Sequence, residues 1–326
     1  MNTSRLTGAL DIGGTKILVG LIDQHGALLA RRRIETLASR GADEVIAGAG
    51  ATLRTLLHEV GADGVALQAI GCSVPGPLDS KSGKVIFSPN LGWRDVPFVE
   101  LLRRQFAVPI AIDDDAHCAA LAEWHLGAAR GTQSAVYVTI STGIGSGIII
   151  DGRLYSGAHG FAGEVGHITL DRNGPSCSCG NSGCFEALAS GSAIARRAKE
   201  AVTSGQKTLL STFHKNPALL TASEVMQAAA AGDAAAVQII ETAAAFLGLG
   251  LAAVASAFDP EIIVVGGGVV QANELLLAHA RATFAARVIP PFGSLVSIAP
   301  AALGEESALR GAALLVTERM EVGSHV

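Results

Sequence analysis

The sequence predicts an α/β protein made of two similar halves. Short apolar stretches typical of buried strands alternate with helical patterns along most of the 326 residues, which is the order expected of sheets covered by helices. A strand–turn–strand unit with a glycine-rich turn occurs at 6–22 and again at 135–151. A third observation is the loop at 159–186, which concentrates histidine, cysteine and glycine. We therefore expect one segment to be held by side-chain ligands.

Composition indicates a large core and excludes several functional classes. Hydrophobic residues make up 49% of the chain and charged residues 16%, which argues against disorder. The net charge of -5 provides no basic field, so we expect no nucleic-acid partner and expect any phosphate to be held by backbone amides and a few cations. Only five cysteines are present, which fits a reducing cytoplasm better than a disulfide framework.

No segment predicts secretion or a membrane span. Leu10 is followed at once by Asp11, which is unlike a signal peptide. Two longer uncharged runs occupy 131–150 and 242–258. The first is rich in Thr, Ser and Gly and the second is short for a span, so we interpret both as buried core elements.

The first half begins with a hairpin. Residues 6–10 and 17–22 are apolar strands, and 27–36 predicts a third strand. Glycines at the hairpin tip let backbone N–H groups approach a phosphate, with a hydroxyl and a charge beside them. The alternative is a plain hairpin turn. The candidate phosphate-binding residues are Asp11, Gly13, Gly14, Thr15 and Lys16.

Two polar turns follow. An amphipathic helix at 43–60 precedes a strand at 69–74 that ends in Pro-Gly-Pro around Gly76. Because open α/β sheets bind ligands at the carboxyl ends of their strands, Gly76 is a candidate ligand contact. Asn90 lies in the turn 88–93. Its side chain offers a donor and an acceptor suited to ligand hydroxyls, or it caps the turn.

Three consecutive carboxylates are the strongest catalytic candidates. Asp113, Asp114 and Asp115 connect a predicted strand at 109–112 to a helix at about 116–127, and a short helix at 98–106 comes before them. Three like charges in a row are unfavourable unless some face solvent or a ligand. Aspartate is a good helix N-cap, so we assign one of the three to capping and another to general-base chemistry.

The second half repeats the hairpin. A strand at 135–141 leads through a Thr/Gly-rich turn at 142–147 to a return strand at 148–151. A G-x-G-x-G run alone is weak support for a phosphate site, but its recurrence in the same architecture strengthens it. We expect two related halves that present phosphate loops to a shared cleft. The candidate contacts here are Thr142, Gly143, Gly145 and Gly147.

Four potential metal ligands lie within the loop at 159–186: His167, Cys177, Cys179 and Cys184. Three thiolates and one imidazole suit a closed tetrahedral zinc site, which is structural because no position is left for water or substrate. The alternative is three ordinary cysteines near a histidine. A zinc ion would hold the neighbouring Glu164, His167 and Glu186 in place.

The remaining chain completes the second half. Arg196, Arg197 and Lys199 are expected on the solvent side of a helix at 192–202, and Thr221 with Glu224 has capping-box spacing. Glycines between a strand and a helix permit close approach of a nucleotide or form a tight turn, which makes Gly267 and Gly268 candidate contacts. The other predicted segments are an irregular stretch at 203–220, helices at 225–231, 234–258, after Ala272 and at 305–319, and strands at 261–265 and 294–298.

These motifs resemble the ROK family of sugar kinases and repressors. The family hallmark is Gly-His followed by C-x-C-G-x-x-G-C-x-E, which is present here at 166–167 and 177–186. The resemblance implies an actin-like ATPase fold of the hexokinase type with two lobes. The N-terminal lobe would be 1–118 plus the helix at 305–319, and the C-terminal lobe would be 119–304 with the zinc loop at 159–186.

The resemblance also assigns roles. The family base lies in an Asn-Asp-Ala motif, so matching Asp115-Ala116 to it makes Asp115 the base. Asp114 then stands where the family has Asn, a departure that either changes a hydrogen bond to a sugar hydroxyl or raises the pKa of one carboxylate. The sugar contacts implied are Gly76, Asn90, Asp114, Asp115, Glu164, His167 and Glu186, and the Gly-Gly-Gly segment would lie against adenosine.

Two of these assignments have alternatives. Glu164 could be an ordinary solvent-exposed carboxylate, and Glu186 could favour a helix dipole instead of contacting sugar. His167 could use one ring nitrogen for zinc and the other for the sugar.

The implied activity is ATP-dependent phosphorylation of the 6-hydroxyl of glucose. ATP and Mg²⁺ would lie at the two hairpin turns with Asp11 positioning the metal through water, and zinc would be structural. The turn at 90–93 and the residues 128–131 and 164–167 most resemble those of the family's bacterial glucokinases, although its N-acetylmannosamine and N-acetylglucosamine kinases share nearly all the motifs. We expect a cytoplasmic homodimer or homotetramer, and the phosphoryl donor, ATP or polyphosphate, stays open.

Two rival functions belong to other classes. Repressors of the family carry an N-terminal helix-turn-helix before the kinase-like part, and here the first motif begins at Asp11, so we expect none. A non-catalytic sugar sensor is disfavoured because Asp115 and both glycine turns are intact.

Overall fold

A computed structural model of the chain describes residues 5–62, 67–271 and 274–323. The chain divides into two units. Unit 1 comprises Met1–Leu126, Leu154–Ala162 and Glu305–Val326, and unit 2 comprises Gly127–Arg153 and Gly163–Gly304. The predicted boundary after residue 118 falls inside a helix, and 159–162 of the predicted zinc loop belong to unit 1.

The elements are numbered in chain order. The strands are β1 (Leu6–Ile12), β2 (Lys16–Asp23), β3 (Leu28–Glu35), β4 (Leu67–Ser73), β5 (Leu78–Asp79), β6 (Lys84–Ser88), β7 (Trp93–Val96), β8 (Ile110–Asp113), β9 (Ala135–Ile140), β10 (Ile144–Ile150), β11 (Arg153–Leu154), β12 (Ile262–Gly266) and β13 (Ser297–Pro300). The helices are α1 (Ala42–Glu59), α2 (Phe98–Arg103), α3 (Asp115–His125), α4 (Phe185–Ala189), α5 (Gly191–Thr203), α6 (Leu210–Phe213), α7 (Ala222–Ala230), α8 (Ala234–Phe258), α9 (Gly268–Gln271), α10 (Glu274–Arg287), α11 (Phe292–Leu295) and α12 (Ser307–Gly323). Short 3₁₀ segments lie at Ala38–Arg40, Val165–His167, Pro217–Leu219 and Gly304–Glu306.

Two five-stranded sheets have the same plan. Their strand orders are β3-β2-β1-β4-β8 and β11-β10-β9-β12-β13. In each sheet the central strand pairs antiparallel with its hairpin partner and parallel with the strand on its other side. The predicted α/β class and the repeated hairpin are therefore confirmed.

Unit 1 covers both faces of its sheet. Alternate residues of β1 and β2 point to opposite faces. Leu10, Ile12, Ile17 and Val19 pack in a core with α1 and α2, while Ala9, Leu18 and Ile22 pack against Leu309 and Ala313 of α12. The C-terminal helix thus covers the second face of the unit 1 sheet.

Two glycines let α12 approach backbone directly. A side chain at Gly71 of β4 would collide with the Ala312 carbonyl, and one at Gly311 of α12 would collide with the Cys118 carbonyl. The helix consequently contacts β4 and α3 at backbone distance, where any larger residue requires a shift of main chain.

Unit 2 is built around α8. This helix contributes Ala, Leu, Ile and Val side chains to a core shared with α4, α5, α7 and α10. By length and composition alone α8 could cross a membrane, but 61% of its most apolar window is buried inside the protein. The helix has the bounds that its sequence predicted, 234–258.

Several predicted boundaries are confirmed and others are wrong. The capping box of Thr221 and Glu224 is present at the start of α7. The second hairpin turns earlier than predicted, so Gly145 and Gly147 lie in β10 and pair with Thr139 and Tyr137. A glycine can continue a strand ladder as well as a turn, and the composition alone does not distinguish the two.

The C-terminal part of unit 2 also differs. The predicted strand at 294–298 is a helical turn, α11, followed by β13, whose register is set by pairing Ser297 with Ile262. The stretch at 203–220 contains α6 and a 3₁₀ turn. The predicted helix start at Ala272 lies outside the described residues, and α10 is described from Glu274. A three-stranded sheet of β5, β6 and β7 escaped prediction because its strands have two to five residues.

Candidate active site

The acidic site of unit 1 lies where parallel strands end. β1, β4 and β8 are parallel neighbours, and their register pairs Asp11 with Ser73 and Ser73 with Asp113. These three residues therefore lie side by side at the carboxyl edge of the sheet, which is where open α/β sheets bind ligands. Asp115 follows directly, as the first residue of α3.

The three consecutive aspartates have different partners. Asp113 is buried and accepts hydrogen bonds from Arg319 Nη2 and His117 Nδ1, both at 2.8 Å. Asp114 is the N-cap of α3, since its Oδ1 accepts from the Ala116 amide at 2.9 Å and its Oδ2 from the Gly76 amide at 3.4 Å. Capping and ion pairing occupy these two residues, so Asp115 is the candidate base.

The environment raises the pKa of two carboxyls. Burial raises the pKa of Asp115, and hydrogen bonds from Asp114 and the Ala116 amide together with the charge of His117 oppose this. Burial, then the charge of Asp115, raises the pKa of Asp11 to about 7, against a hydrogen bond from Ser73. Desolvation is the main cause of the raised pKa of Asp115, and like-charge repulsion from Asp115 contributes to the raised pKa of Asp11. The effect of Asp114 in place of the family's Asn stays a prediction.

The first hairpin tip is hydrogen-bonded to Thr36, which directly follows β3. The Gly13 amide donates to the Lys16 carbonyl at 2.9 Å, and Thr36 Oγ1 donates to the Gly13 carbonyl at 2.6 Å. A Cβ on Gly14 would lie 3.0 Å from Asn90 Cβ, so two predicted ligand contacts are neighbours. Lys16 begins β2 instead of lying in the turn, and its Nζ pairs with Glu305 at 3.1 Å.

The second hairpin tip contacts Glu186. Glu186 Oε2 accepts from the Ile144 amide at 3.0 Å, and its carboxylate occupies the space that a side chain on Gly143 would need. Glu186 Oε1 accepts from Ser178 Oγ at 3.2 Å. This carboxylate therefore joins the cysteine loop to the glycine turn, a connection that the sequence did not reveal. Because Glu186 also lies in the first turn of α4, its dipole interpretation and its positioning role are compatible.

The four predicted zinc ligands converge. One donor atom from each of His167, Cys177, Cys179 and Cys184 lies within 4.8 Å of all the others. Cys177 Sγ is 3.7 Å from His167 Nδ1, and the Sγ atoms of Cys179 and Cys184 are also 3.7 Å apart. Ligand atoms of tetrahedral zinc are separated by roughly 3.5 Å, so the donor set fits this ion. His167 Nε2, the other ring nitrogen, is 3.8 Å from Glu164 Oε2.

Unit 2 contains a cavity of about 950 Å³ beside the second hairpin. Its lining includes Thr142 and Gly268 from the predicted nucleotide contacts and the apolar side chains of Leu220, Met226 and Val269. An apolar lining with a few polar groups suits a nucleoside. Arg196 and Lys199 line the same cavity, which is compatible with their predicted place on the solvent side of α5.

The cavity at the polar face of α5 is a feature that helical periodicity does not predict. A polar face predicts only that a helix side is not buried in the core, and a ligand cavity satisfies that condition as well as bulk water does. Arg196 pairs with Glu200 at 2.8 Å. Within the described ranges, Lys199 has no ion-pair partner, which leaves its charge for a ligand.

Comparison with known proteins matches most of the chain. A model of the ROK family matches residues 7–319. A glucokinase from Halalkalibacterium halodurans is 34% identical over 322 residues, or 97% of each protein. The crystal structure of a ROK family glucokinase from Streptomyces griseus with glucose and AMPPNP has a TM-score of 0.83 and 32% identity over 96% of this chain and 99% of that one. A xylose repressor from Bacillus spizizenii is 33% identical over 252 residues, covering 77% of this chain and 62% of the repressor.

Proposed function

This chain belongs to the ROK family and is a sugar kinase, and we propose that it transfers the γ-phosphoryl group of ATP to the 6-hydroxyl of glucose. The observation that carries the proposal is Asp115, a desolvated carboxylate at the carboxyl edge of parallel strands. The two preceding aspartates have other roles, since Asp114 caps α3 and Asp113 pairs with Arg319. Glucose is the proposed acceptor because a relative of the same length is a glucokinase.

Asp115 acts as the general base. It accepts the proton of the 6-hydroxyl as the oxygen attacks the γ-phosphorus in line, and positioning supplies most of the remaining rate. Amides of Gly14, Thr142 and Gly143 bind phosphate oxygens in this proposal, whereas the Gly13 amide donates to the Lys16 carbonyl and shapes the turn. Gly145 and Gly147 were proposed for the same role, but their pairing within β10 leaves them a supporting one.

Asp11 is proposed to orient Mg²⁺ through a water molecule. Mg²⁺ bound with ATP would neutralise phosphate charge. The pKa of Asp11, raised to about 7 by burial and by Asp115, fits a position that a nearby cation stabilises in its ionised form. Lys16 supplies a positive charge at the same hairpin, and its ion pair with Glu305 partly neutralises that charge.

Sugar hydroxyls are proposed to contact Asn90, Asp114, Glu164, His167 and Glu186, with Gly76 holding Asp114. A structural zinc ion would be held by His167 Nδ1 and the three thiolates, leaving His167 Nε2 for a hydroxyl. The proposed nucleotide contacts Gly267 and Gly268 lie between β12 and α9, and Gly268 lines the cavity. We further propose a cytoplasmic homodimer or homotetramer, which sedimentation would test.

The deciding experiment measures ATP-dependent ADP release with glucose, mannose, fructose, N-acetylglucosamine and N-acetylmannosamine. Strong turnover with glucose and little with the others is expected. Preference for an N-acetyl sugar would replace the proposed acceptor and retain the chemistry. No ADP release with any of the five sugars would contradict the proposed hexokinase activity. It would favour a role in sugar binding without turnover, as the similarity to a xylose repressor suggests.

Lys199→Ala is expected to weaken ATP binding roughly tenfold, because one charge-assisted hydrogen bond contributes about 1.5 kcal/mol. Adenosine binding should stay unchanged, since the cation would contact phosphate and not the base. Calorimetric titration with both ligands checks this. Lys207→Ala is the control, because Lys207 is exposed and is absent from the cavity lining. Equal losses for ATP and adenosine would show that Lys199 acts by packing.

A further inference from the structure

His117 is a buried residue whose two ring nitrogens both face acceptors. It lies on α3, two residues after Asp115, and is 3% exposed. Nδ1 is 2.8 Å from Asp113 Oδ1, and Nε2 is 2.8 Å from the carbonyl oxygen of Ala162. A neutral imidazole has one N–H, so it could make only one of these two bonds.

Asp113 cannot supply the missing proton. Its carboxylate also accepts from Arg319 Nη2 at 2.8 Å and from the Asp114 amide at 2.9 Å, so this group is the acceptor in the bond to His117. Both nitrogens of His117 therefore donate, and the ring is an imidazolium cation. Burial alone would lower the pKa of His117, but the hydrogen bond and the charge of Asp113 raise it to about 9.

The two partners of this cation connect elements that matter for the proposed chemistry. Asp113 ends β8 and leads into the turn that presents Asp115. Ala162 ends the segment Leu154–Ala162 of unit 1 and is two residues before Glu164 in the chain. The cation also lies near enough to Asp115 for its charge to lower the pKa of that carboxyl.

The groups around His117 are mostly acidic. Asp113 from β8 and Asp114 and Asp115 from α3 face it, and Arg319 from α12 reaches it only through Asp113. Asp11 from β1 lies near enough to Asp115 for the charge of Asp115 to raise the pKa of Asp11. The segment Leu154–Ala162 contributes the Ala162 carbonyl.

We propose that His117 is a positioning residue of the phosphoryl transfer: its charge stabilises the ionised Asp115, and its second N–H fixes the chain that leads into Glu164. This inference rests on the proposed function. It assigns to His117 a role that requires no contact with substrate. The sequence pattern singled out the three aspartates beside it and not this histidine.

His117→Gln tests the charge. Gln is neutral, yet its amide can still donate to the Ala162 carbonyl. Because Asp115 must be ionised to accept a proton, loss of the cation should move the acid limb of the kcat profile upward by about one pH unit. Turnover should then fall roughly tenfold on the acid side and recover at high pH. His125→Gln, on the same helix and paired with Glu318 at 2.7 Å, should leave the profile unchanged.

His117→Asn tests the second bond. Asn reaches Asp113 but not Ala162, so it should show the same acid-limb shift and, in addition, a higher KM for the sugar than His117→Gln. A uniform loss of kcat at every pH, or a lower melting temperature with an unchanged profile, would overturn the positioning role and leave a structural one.

A measurement on the unmodified protein tests the same inference if the variants fail to fold. Nitrogen-15 NMR should show both ring N–H groups of His117 protonated at pH 7.5. A neutral ring at that pH would overturn the inference whether or not the chain phosphorylates glucose. Conversely, a cationic His117 ring in a protein that phosphorylates none of the sugars would contradict the proposed function and leave the charge of His117 established.

Discussion

Asp115→Asn is expected to lower kcat by a factor of roughly 10² to 10⁴, because a positioned general base contributes about that much to proton transfer. Nucleotide affinity should stay within about twofold, since Asp115 does not line the cavity in unit 2 that is proposed to bind the nucleotide. Steady-state kinetics and calorimetric titration with ATP measure the two quantities separately.

Asp43→Asn is the matched control for this substitution. Asp43 is an exposed aspartate in the first turn of α1, so the substitution removes the same charge from a first helical turn outside the site. Turnover of the Asp115 variant equal to that of the control would exclude Asp115 as the base. A loss of ATP binding would mean that the carboxylate positions the nucleotide instead.

Loss of one zinc ligand is the second large effect. Cys184→Ser should reduce the bound metal from about one zinc per chain to none, because serine is a poor zinc ligand and the remaining three donors no longer close the tetrahedron. The melting temperature should fall by at least several degrees, since folding energy stored in a structural zinc site is lost with the ion. Activity should fall with it, because Glu186 connects this loop to the second hairpin.

Elemental analysis, thermal melting and turnover check this prediction together. Cys72→Ala is the control, since Cys72 is a buried thiol of β4 far from the ligand set in sequence and lies in the other unit. It should keep its metal. Metal content that is unchanged in the Cys184 variant, or absent from the wild-type protein, would refute the zinc site.

The features that the sequence predicted correctly are those determined by residues close to one another in the chain. The two hairpins, the long helix α8 and the capping box at Thr221 each follow from a short pattern of strand, glycine, helix or cap residues. The cysteine and histidine donors were also foreseeable, because a loop with three thiols and one imidazole has few other stable arrangements.

The parts that escaped prediction depend on partners distant in sequence. Glu186 contacts Ile144, Lys16 pairs with Glu305, and His117 reaches Ala162. None of these pairs has a spacing that a local pattern reports. Strand ends failed for a related reason: Gly145 and Gly147 are compatible with either a turn or a ladder, and only pairing with β9 decides between them.

The close approach of α12 to β4 and α3 has a consequence for synthesis. The helix follows all of unit 2 in the chain, yet Leu309 and Ala313 cover the face of β1 and β2 formed by Ala9, Leu18 and Ile22. On the ribosome, unit 2 emerges before this cover exists. The strands made first are thus among the last to be sealed, and a nascent chain halted before residue 305 exposes an apolar sheet face that chaperones would have to protect.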